Sequence, residues 1–315
     1  MKKATEDKNY DLIIIGAGPA GLTGSIYASR YGLSHLVIGI LSGGTMTEAH
    51  KIENFPSQIE ISGLDLAKKM EAQVRALGVR IKLDKVVDVK KLADGIFRTK
   101  TRTNQNFFSK AILLAPGTRR RKLNIPGQDR FLGRGVSYCA TCDGPFFKDK
   151  VVAVIGGSDA AAMSTLYLAT LAKKVYLIYR KDRLRAEEMR KKEIGKNKKI
   201  TVLYNNNVKK LEGKDFLGKI ILERPYRGSN ELKLDGVFVE VGSVPSSVFI
   251  DNLGLAKDES GYIKIDSNGA TNVKGIWAAG DITNGSNGLR QIITACSEGA
   301  VAIQSIYNYR GRVAV

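Results

Sequence analysis

A short apolar strand that runs straight into a glycine turn occurs twice in this chain, and that repeat restricts the fold more than any other feature. Tyr10–Ile15 (YDLIII) is an apolar run suited to a parallel strand buried on both faces. It leads into Gly16-Ala17-Gly18-Pro19-Ala20-Gly21, an apolar helix at about Leu22–Tyr31 and a second strand at His35–Ile40. Gly16 makes the tight turn, Gly18 lets the backbone approach a pyrophosphate, and Gly21 lets the helix pack on the strand. The helix N-terminus turns N–H groups and partial positive charge toward phosphates. A glycine turn without a ligand is the plain alternative, and the strand–turn–helix–strand context weighs against it. The same order returns at Val151–Ile155, Gly156-Gly157-Ser158-Asp159-Ala160-Ala161, a helix at about Ala160–Leu171 and a strand at Val175–Tyr179. Ser158 replaces a glycine there, and Ala161 closes the pattern, which tolerates alanine at that place.

The two second strands end differently. An acid at that point would hold a ribose, yet the first unit reads Gly39-Ile40-Leu41-Ser42 and has none. The second ends in Tyr179-Arg180-Lys181-Asp182-Arg183-Leu184-Arg185. Positive groups here suit a ribose 2′-phosphate and hence NADP over NAD.

A chain of 315 residues allows about two domains. After the first unit comes a loop from Gly43-Gly44-Thr45 to Glu53-Asn54-Phe55-Pro56. A helix at about Gly63–Leu77 and strands at Gly78–Val89, Ile96–Thr101 and Phe107–Ser109 follow. Ala115–Thr118 reads as an exit turn, with Arg119–Lys122 and Ile125-Pro126-Gly127 as a linker. Strands at Ile200–Leu203, Lys219–Glu223 and Gly236–Val241 complete the second unit, and Gly242–Pro245 leads back. Gly275–Asp281 reads as a strand capped by Gly280-Asp281, before an apolar helix at Leu289–Tyr307 opened by Arg290-Gln291. The expected fold is α/β, with one dinucleotide-binding domain (1–117 and 246–315) interrupted by a second (118–245).

The chemistry lies inside 118–245 and ahead of the second glycine turn, in Ser137–Gly144 (SYCATCDG). Cys139 and Cys142, three positions apart and followed by Asp143, can close a small disulfide ring or provide a thiolate, with an acid alongside. Half of a zinc site is the other reading. The only other cysteine is Cys296 and the only histidines are His35 and His50, too few for a four-ligand cluster, so no metal is expected. Cys296, on the apolar side of the last helix, reads as a small buried hydrophobe. His35, His50 and Tyr138 read as ordinary loop or packing residues. No apolar run approaches the ~20 residues of a membrane span, and the polar start MKKATEDKNY has no apolar signal core. The expected compartment is the cytoplasm, where a C-x-x-C pair is more often catalytic than structural. Net charge is +19, from a surface that either attracts an acidic partner or is simply lysine-rich. No nucleic-acid motif accompanies it.

These pieces in this order resemble low-molecular-weight thioredoxin reductase, over Tyr10 to about Tyr309. The most specific stretch is GRGVSYCATCDGPFF, Gly133–Phe147, followed by GIWAAGDI with its downstream RQ. The resemblance implies two Rossmann-like domains, FAD in the outer one, NADPH in the inserted one, and a homodimer. It implies FAD contacts at Gly16, Gly18, Pro19, Ala20, Gly21, Gly43, Gly44, Thr45, Asn54, Gly280, Asp281, Arg290, Gln291 and Ile292. It implies NADPH contacts at Gly156, Gly157, Ser158, Asp159, Ala160, Arg180, Lys181 and Arg185. Cys142 then matches the flavin-facing cysteine, Cys139 the one that attacks the partner's disulfide, and Asp143 the acid. The implied partner is a thioredoxin-like protein, acidic if the charge steers it, and Arg119, Arg120, Arg121 and Arg134 are the candidate contacts. The linkers at Gly117–Gly127 and Gly242–Pro245 are natural hinges. Met163 and Ser164 stand where the family has two glutamates. Together with the erosion of the second glycine turn, where Ser158 replaces a glycine, that departure keeps a ferredoxin-linked reductase open as an alternative. A reductase of another small redox protein and a basic flavin-binding module are the others.

Overall fold

The computed structural model describes residues 9–246 and 249–313. The polar start at 1–8, from which the absence of an export signal is read, lies outside them, as do 247–248 and 314–315. The chain divides into two compact units, Met1–Arg119 with Pro245–Val315, and Arg120–Val244.

In the first unit, β1 (Asn9–Ile15) enters α1 (Pro19–Arg30), followed by β2 (His35–Gly39) and α2 (Gly63–Ala76). The helix α1 begins at Pro19 rather than Leu22, because proline at the first helical position loses no needed hydrogen bond. The stretch expected as one strand, Gly78–Val89, is two: β3 (Ile81–Leu83) and β4 (Val86–Lys91). The break falls at Asp84, whose buried carboxylate accepts from the Lys85 N–H at 2.7 Å and from the Thr103 hydroxyl. β5 (Phe97–Thr101) and β6 (Asn106–Leu114) follow. The expected Phe107–Ser109 strand is the start of the longer β6, which pairs antiparallel with β5 and parallel with β1.

β7 (Thr118–Arg120) opens the passage into the second unit, where α3 (Gln128–Phe131), β8 (Val136–Ser137) and α4 (Ala140–Asp143) precede the second glycine turn. There β9 (Val151–Gly156), α5 (Asp159–Leu171) and β10 (Lys174–Ile178) repeat the first motif. α6 (Glu188–Lys196) and β11 (Ile200–Leu203) follow, then the meander β12 (Val208–Gly213), β13 (Leu217–Tyr226) and β14 (Ser229–Lys233), then β15 (Gly236–Glu240). The parallel sheet runs β11-β10-β9-β15-β8. Its strands alternate sides: Val152, Val154, Val175 and Leu177 pack with α5, while Ala153, Ile155, Tyr176 and Ile178 pack with Leu211, Ile220 and Leu222 of the meander.

β16 (Ser243–Pro245) pairs with β7 where the chain returns. In the first unit β17 (Ile276–Ala278) then joins β6, and α7 (Ile292–Val313) closes the described chain. The sheet order is β3-β2-β1-β6-β5-β4, with β17 on β6. Leu12, Ile14, Val37 and Leu113 face α1 and α7, while Ile13, Ile15, Leu36 and Ile38 face the other side with Phe97 and Ile276. α7 starts at Ile292, past Arg290-Gln291, where the Thr294 hydroxyl in its first turn reaches back to accept from the Gln291 N–H at 3.1 Å. Gly299 lets α7 reach α1: a Cβ there would stand 2.3 Å from the Ala20 carbonyl oxygen.

His35 has partners that its sequence neighbourhood does not show. Its Nδ1 faces the Leu33 carbonyl at 2.9 Å and its Nε2 the Ser25 hydroxyl at 2.8 Å, across ten residues. Burial pushes its pKa down, with the Leu33 carbonyl opposing. A folded value below the unfolded one means the unfolded chain binds the extra proton, so stability is lost as pH falls below about 6.5. Urea unfolding should therefore show a midpoint that drops between pH 7.5 and 5.5, and H35Q should flatten that dependence.

Candidate functional site

In the first unit the glycine turn has a single workable geometry. Gly16 has φ +120°, and a Cβ there would fall 1.9 Å from the Ala115 carbonyl oxygen. A Cβ on Gly21 would fall 1.9 Å from the Gly16 oxygen, so the helix sits hard against the turn. Gly18 is different: its Cβ would meet only the Gly43 oxygen and Gly44 Cα, both at 4.0 Å. A side chain there would fill the space between the turn and Gly43-Gly44, which is the room a pyrophosphate needs. The Gly43 N–H donates to the Ala17 carbonyl at 2.7 Å and fixes the two loops together, with Thr45 exposed beyond them. Pro19 and Ala20 open α1, and a Cβ on Gly280 would stand 3.0 Å from that of Ala20, so the β17 exit loop lies against the same turn.

Asp281 follows, half-buried; burial pushes its carboxyl up, Arg290 opposes this and Glu298 adds to it. The Arg290 guanidinium lies 3.8 Å over the Tyr262 ring. Asn54 Nδ2 donates to Gln291 Oε1 at 3.1 Å, joining two side chains 237 positions apart, and Ile292 begins α7 directly after. Glu298 is a residue the sequence does not single out. It accepts from the Gly280 N–H (2.8 Å), the Thr283 hydroxyl (2.9 Å) and the Ser286 hydroxyl (2.6 Å), and so holds the loop after β17. Nor does the sequence show what stands near the acid-free end of β2. The Glu71 carboxyl of α2 is held below its ordinary range by the nearby Ser42 hydroxyl, which falls short of hydrogen-bond geometry, and by Arg75, whose Nε donates to Glu71 Oε1 at 2.6 Å. Cys296 is half-buried beside the Pro19 carbonyl, and burial pushes its thiol up, so it is no ready thiolate. His50 is exposed in its loop.

In the second unit Gly156 has φ +153° and its Cβ would meet the Glu240 oxygen at 2.2 Å. Gly157 is required for another reason: the Tyr179 ring, 5% exposed, packs on it, and a Cβ would stand 2.4 Å from the ring. Ser158 caps α5 without a side-chain bond, and Ala160 lies in the first turn of that helix. Asp159 Oδ1 accepts from the Glu187 N–H at 2.6 Å, and the Arg185 N–H donates to the Gly157 oxygen at 2.7 Å. Those two bonds bring the basic segment to the turn. Arg180, Lys181 and Arg185 are exposed, and none is paired with a carboxylate among the described residues. Arg120 is not part of any free basic surface: it donates to the buried Glu240 at 2.6 Å, and the Ser164 hydroxyl donates to the same carboxylate at 2.7 Å.

Cys139 and Cys142 are joined as a disulfide at the start of α4. Cys142 is exposed and Cys139 half-buried. The Cys142 N–H donates to Cys139 Sγ at 3.1 Å in the disulfide, a donor that a thiolate formed there on reduction would keep. Ser137, 4% exposed at the end of β8, stands in the sequence motif without its contacts being readable there. Its hydroxyl lies 2.6 Å from Asp143 Oδ2 and 3.2 Å from the Cys139 carbonyl, and its oxygen accepts from the Cys139 N–H at 3.0 Å. Tyr138 packs against the meander side of the core. No group of three or more metal-ligating side chains occurs among the described residues, and none of their helices is long and apolar enough to cross a membrane.

The sequence matches the family model described as pyridine nucleotide-disulphide oxidoreductase over residues 10–299. It is 39% identical to the thioredoxin reductase of Bacillus subtilis over 310 residues, covering 97% of this chain and 96% of that one. The structure is similar to Lactococcus lactis thioredoxin reductase in its FR conformation, with TM-score 0.91, 35% identity and 96% and 99% of the two chains covered. A ferredoxin-flavin thioredoxin reductase from Clostridium acetobutylicum superposes with TM-score 0.52 at 31% identity, over 96% of this chain and 99% of that one.

Proposed function

We propose, for a chain that belongs to the pyridine nucleotide-disulphide oxidoreductase family and within it to the thioredoxin reductases, that it uses NADPH and FAD to reduce the disulfide of a thioredoxin through Cys139 and Cys142. The family brings a flavin, a nicotinamide cofactor and thioredoxin as substrate. The finer assignments are ours. FAD belongs to the domain of residues 1–117 and 246–315, held at its pyrophosphate by Gly16–Gly21 and Gly43–Thr45. Gly280, Asp281, Asn54 and Arg290–Ile292 hold the remainder. When bound, it supplies the two-electron carrier between nicotinamide and disulfide. NADPH belongs to 118–245, with Gly156–Ala160 at the pyrophosphate and Arg180, Lys181 and Arg185 at the 2′-phosphate. The observation that carries the reading is the Cys139–Cys142 disulfide, with Asp143 beside it, in the same unit as a second glycine turn.

Cys139 is the nucleophile toward the partner, because the Cys142 N–H supports charge on its sulfur. Cys142 then resolves the mixed disulfide, and Asp143 gives and takes the protons. We further propose a cytoplasmic homodimer. A ferredoxin-type donor is the second reading, favoured by Ser158 and by Ser164, whose hydroxyl is committed to Glu240.

Steady-state turnover of FAD-loaded protein with NADPH and an acidic thioredoxin tests the reading, with a small disulfide as control. Flavin reduction with no thioredoxin turnover would overturn the partner assignment. Arg119, Arg121 and Arg134 are exposed and form the steering set; Arg120 leaves it because it is turned to Glu240. KM for thioredoxin should rise several-fold between about 50 and 300 mM salt while that for the small disulfide stays flat, since exposed charges are screened beyond about 8 Å at physiological ionic strength. A flat response for both would return the +19 charge to a solvated surface.

A further inference from the structure

We infer that Ser137 is a positioning residue for proton transfer, a buried hydroxyl that satisfies Asp143 in both of its protonation states. This rests on the proton role proposed above for Asp143. The hydroxyl has one proton and two acceptors within reach, Asp143 Oδ2 at 2.6 Å and the Cys139 carbonyl at 3.2 Å, and its oxygen receives the Cys139 N–H at 3.0 Å. With Asp143 ionised, the hydroxyl donates to the carboxylate. With Asp143 protonated, the acid donates to Ser137 Oγ, whose second lone pair is open, and the hydroxyl turns to the Cys139 carbonyl. The hydroxyl therefore keeps a partner for its proton and for its oxygen in both states.

The exchange requires both states. The Cys139 thiolate bonds to one sulfur of the partner's disulfide; that bond breaks, and the departing sulfur takes its electron pair and the Asp143 proton. Asp143 then removes the Cys142 thiol proton. The Cys142 thiolate attacks Cys139 Sγ, and the second partner sulfur leaves with the mixed-disulfide electrons and that same proton. Two electrons and two protons pass to the partner, and the Cys139–Cys142 disulfide is restored. Asp143 is emptied, filled and emptied again in one turnover, while its backbone N–H stays on the Cys139 carbonyl at 3.1 Å. Ser137 sits on β8, paired in register with Phe238 of β15, so its oxygen is fixed by the sheet.

The test is a double-mutant cycle on thioredoxin turnover with S137A, D143N and the pair. S137A should lower kcat roughly ten- to a hundredfold, less than the ~10²–10⁴-fold of losing the general acid itself, because the acid remains and only its positioning is lost. It should have no further effect in the D143N background, and S137T, which keeps the hydroxyl, should restore most of the activity. If S137A lowers kcat by the same factor with and without Asp143, Ser137 is structural and the inference fails. If D143N itself leaves kcat unchanged, the failure belongs to the role given to Asp143. Should S137A not fold, S137T decides: a folded threonine variant as slow as D143N overturns the inference, and one near wild type supports it.

Discussion

Replacing either member of the disulfide should abolish thioredoxin turnover, by about a thousandfold or more, while flavin binding survives, because neither cysteine belongs to a glycine turn. The two variants should nevertheless differ. C142S keeps Cys139, whose sulfur lies 3.1 Å from a backbone N–H that the serine still provides. C139S keeps Cys142, which is the more exposed residue but whose sulfur receives no such donor among the described residues. Accessibility and stabilised charge therefore point to different nucleophiles. Charge is the larger effect, because the thiolate and not the thiol attacks. With a single-cysteine thioredoxin activated by thionitrobenzoate, C142S should release the coloured leaving group at least about ten times faster than C139S; a charge-assisted hydrogen bond of ~1.5–3 kcal/mol covers a factor of that size. A faster C139S would exchange the roles, with Cys142 attacking the partner. Full thioredoxin turnover by either variant would remove the dithiol from the mechanism.

Those roles were only partly legible in the sequence, and the boundary has a physical cause. β1, β2, β9 and β10 are near-continuous apolar runs because both faces of a parallel strand are buried, so composition alone marks them. Gly16, Gly21 and Gly156 are marked just as firmly, since each stands where a Cβ would strike a backbone oxygen. The meander β12–β14 was only touched, at Lys219–Glu223, because one of its faces is solvated and its lysines and glutamates dilute the alternation. α6 was hidden in the same way inside a basic stretch. Ser137, Glu298 and Glu240 escaped for a different reason. Their partners are set by the fold: Glu240 meets Arg120 across 120 positions and Ser164 across 76. No local period records such a contact. Ser137 carried a faint signal, a small hydroxyl two places before the first cysteine, but only the geometry shows where the hydroxyl points.

NADPH should be preferred over NADH, and R180A or R185A should erase most of that preference. Arg180, Lys181 and Arg185 are exposed cations with no carboxylate partner among the described residues, and the Arg185 N–H is anchored on the Gly157 oxygen at 2.7 Å. A 2′-phosphate arriving at the turn would therefore find positive charge on a segment anchored by its backbone, at no cost of breaking ion pairs among the described residues. Removing one such contact costs about 1.5–3 kcal/mol at a desolvated site and less at an exposed one, so a factor of roughly ten is the expected loss for each arginine. The other end of the site has less to offer. Ser158 gives α5 no side-chain cap, and the Ser164 hydroxyl is spent on Glu240, a buried carboxylate already held by Arg120. Binding should accordingly be weaker than the family pattern would give, with the deficit in the nicotinamide half. Equilibrium titration separates the halves: 2′-phospho-ADP-ribose, which lacks nicotinamide, should bind nearly as tightly as NADP, and R185A should weaken both equally. Anaerobic mixing of FAD-loaded protein with NADPH, and separately with a reduced ferredoxin, decides the donor. Bleaching of the flavin by NADPH confirms the assignment. Bleaching by ferredoxin alone, with NADPH in large excess inert, would leave the second glycine turn as architecture: Gly157 kept for the Tyr179 ring and Gly156 for the Glu240 backbone, rather than for a nucleotide.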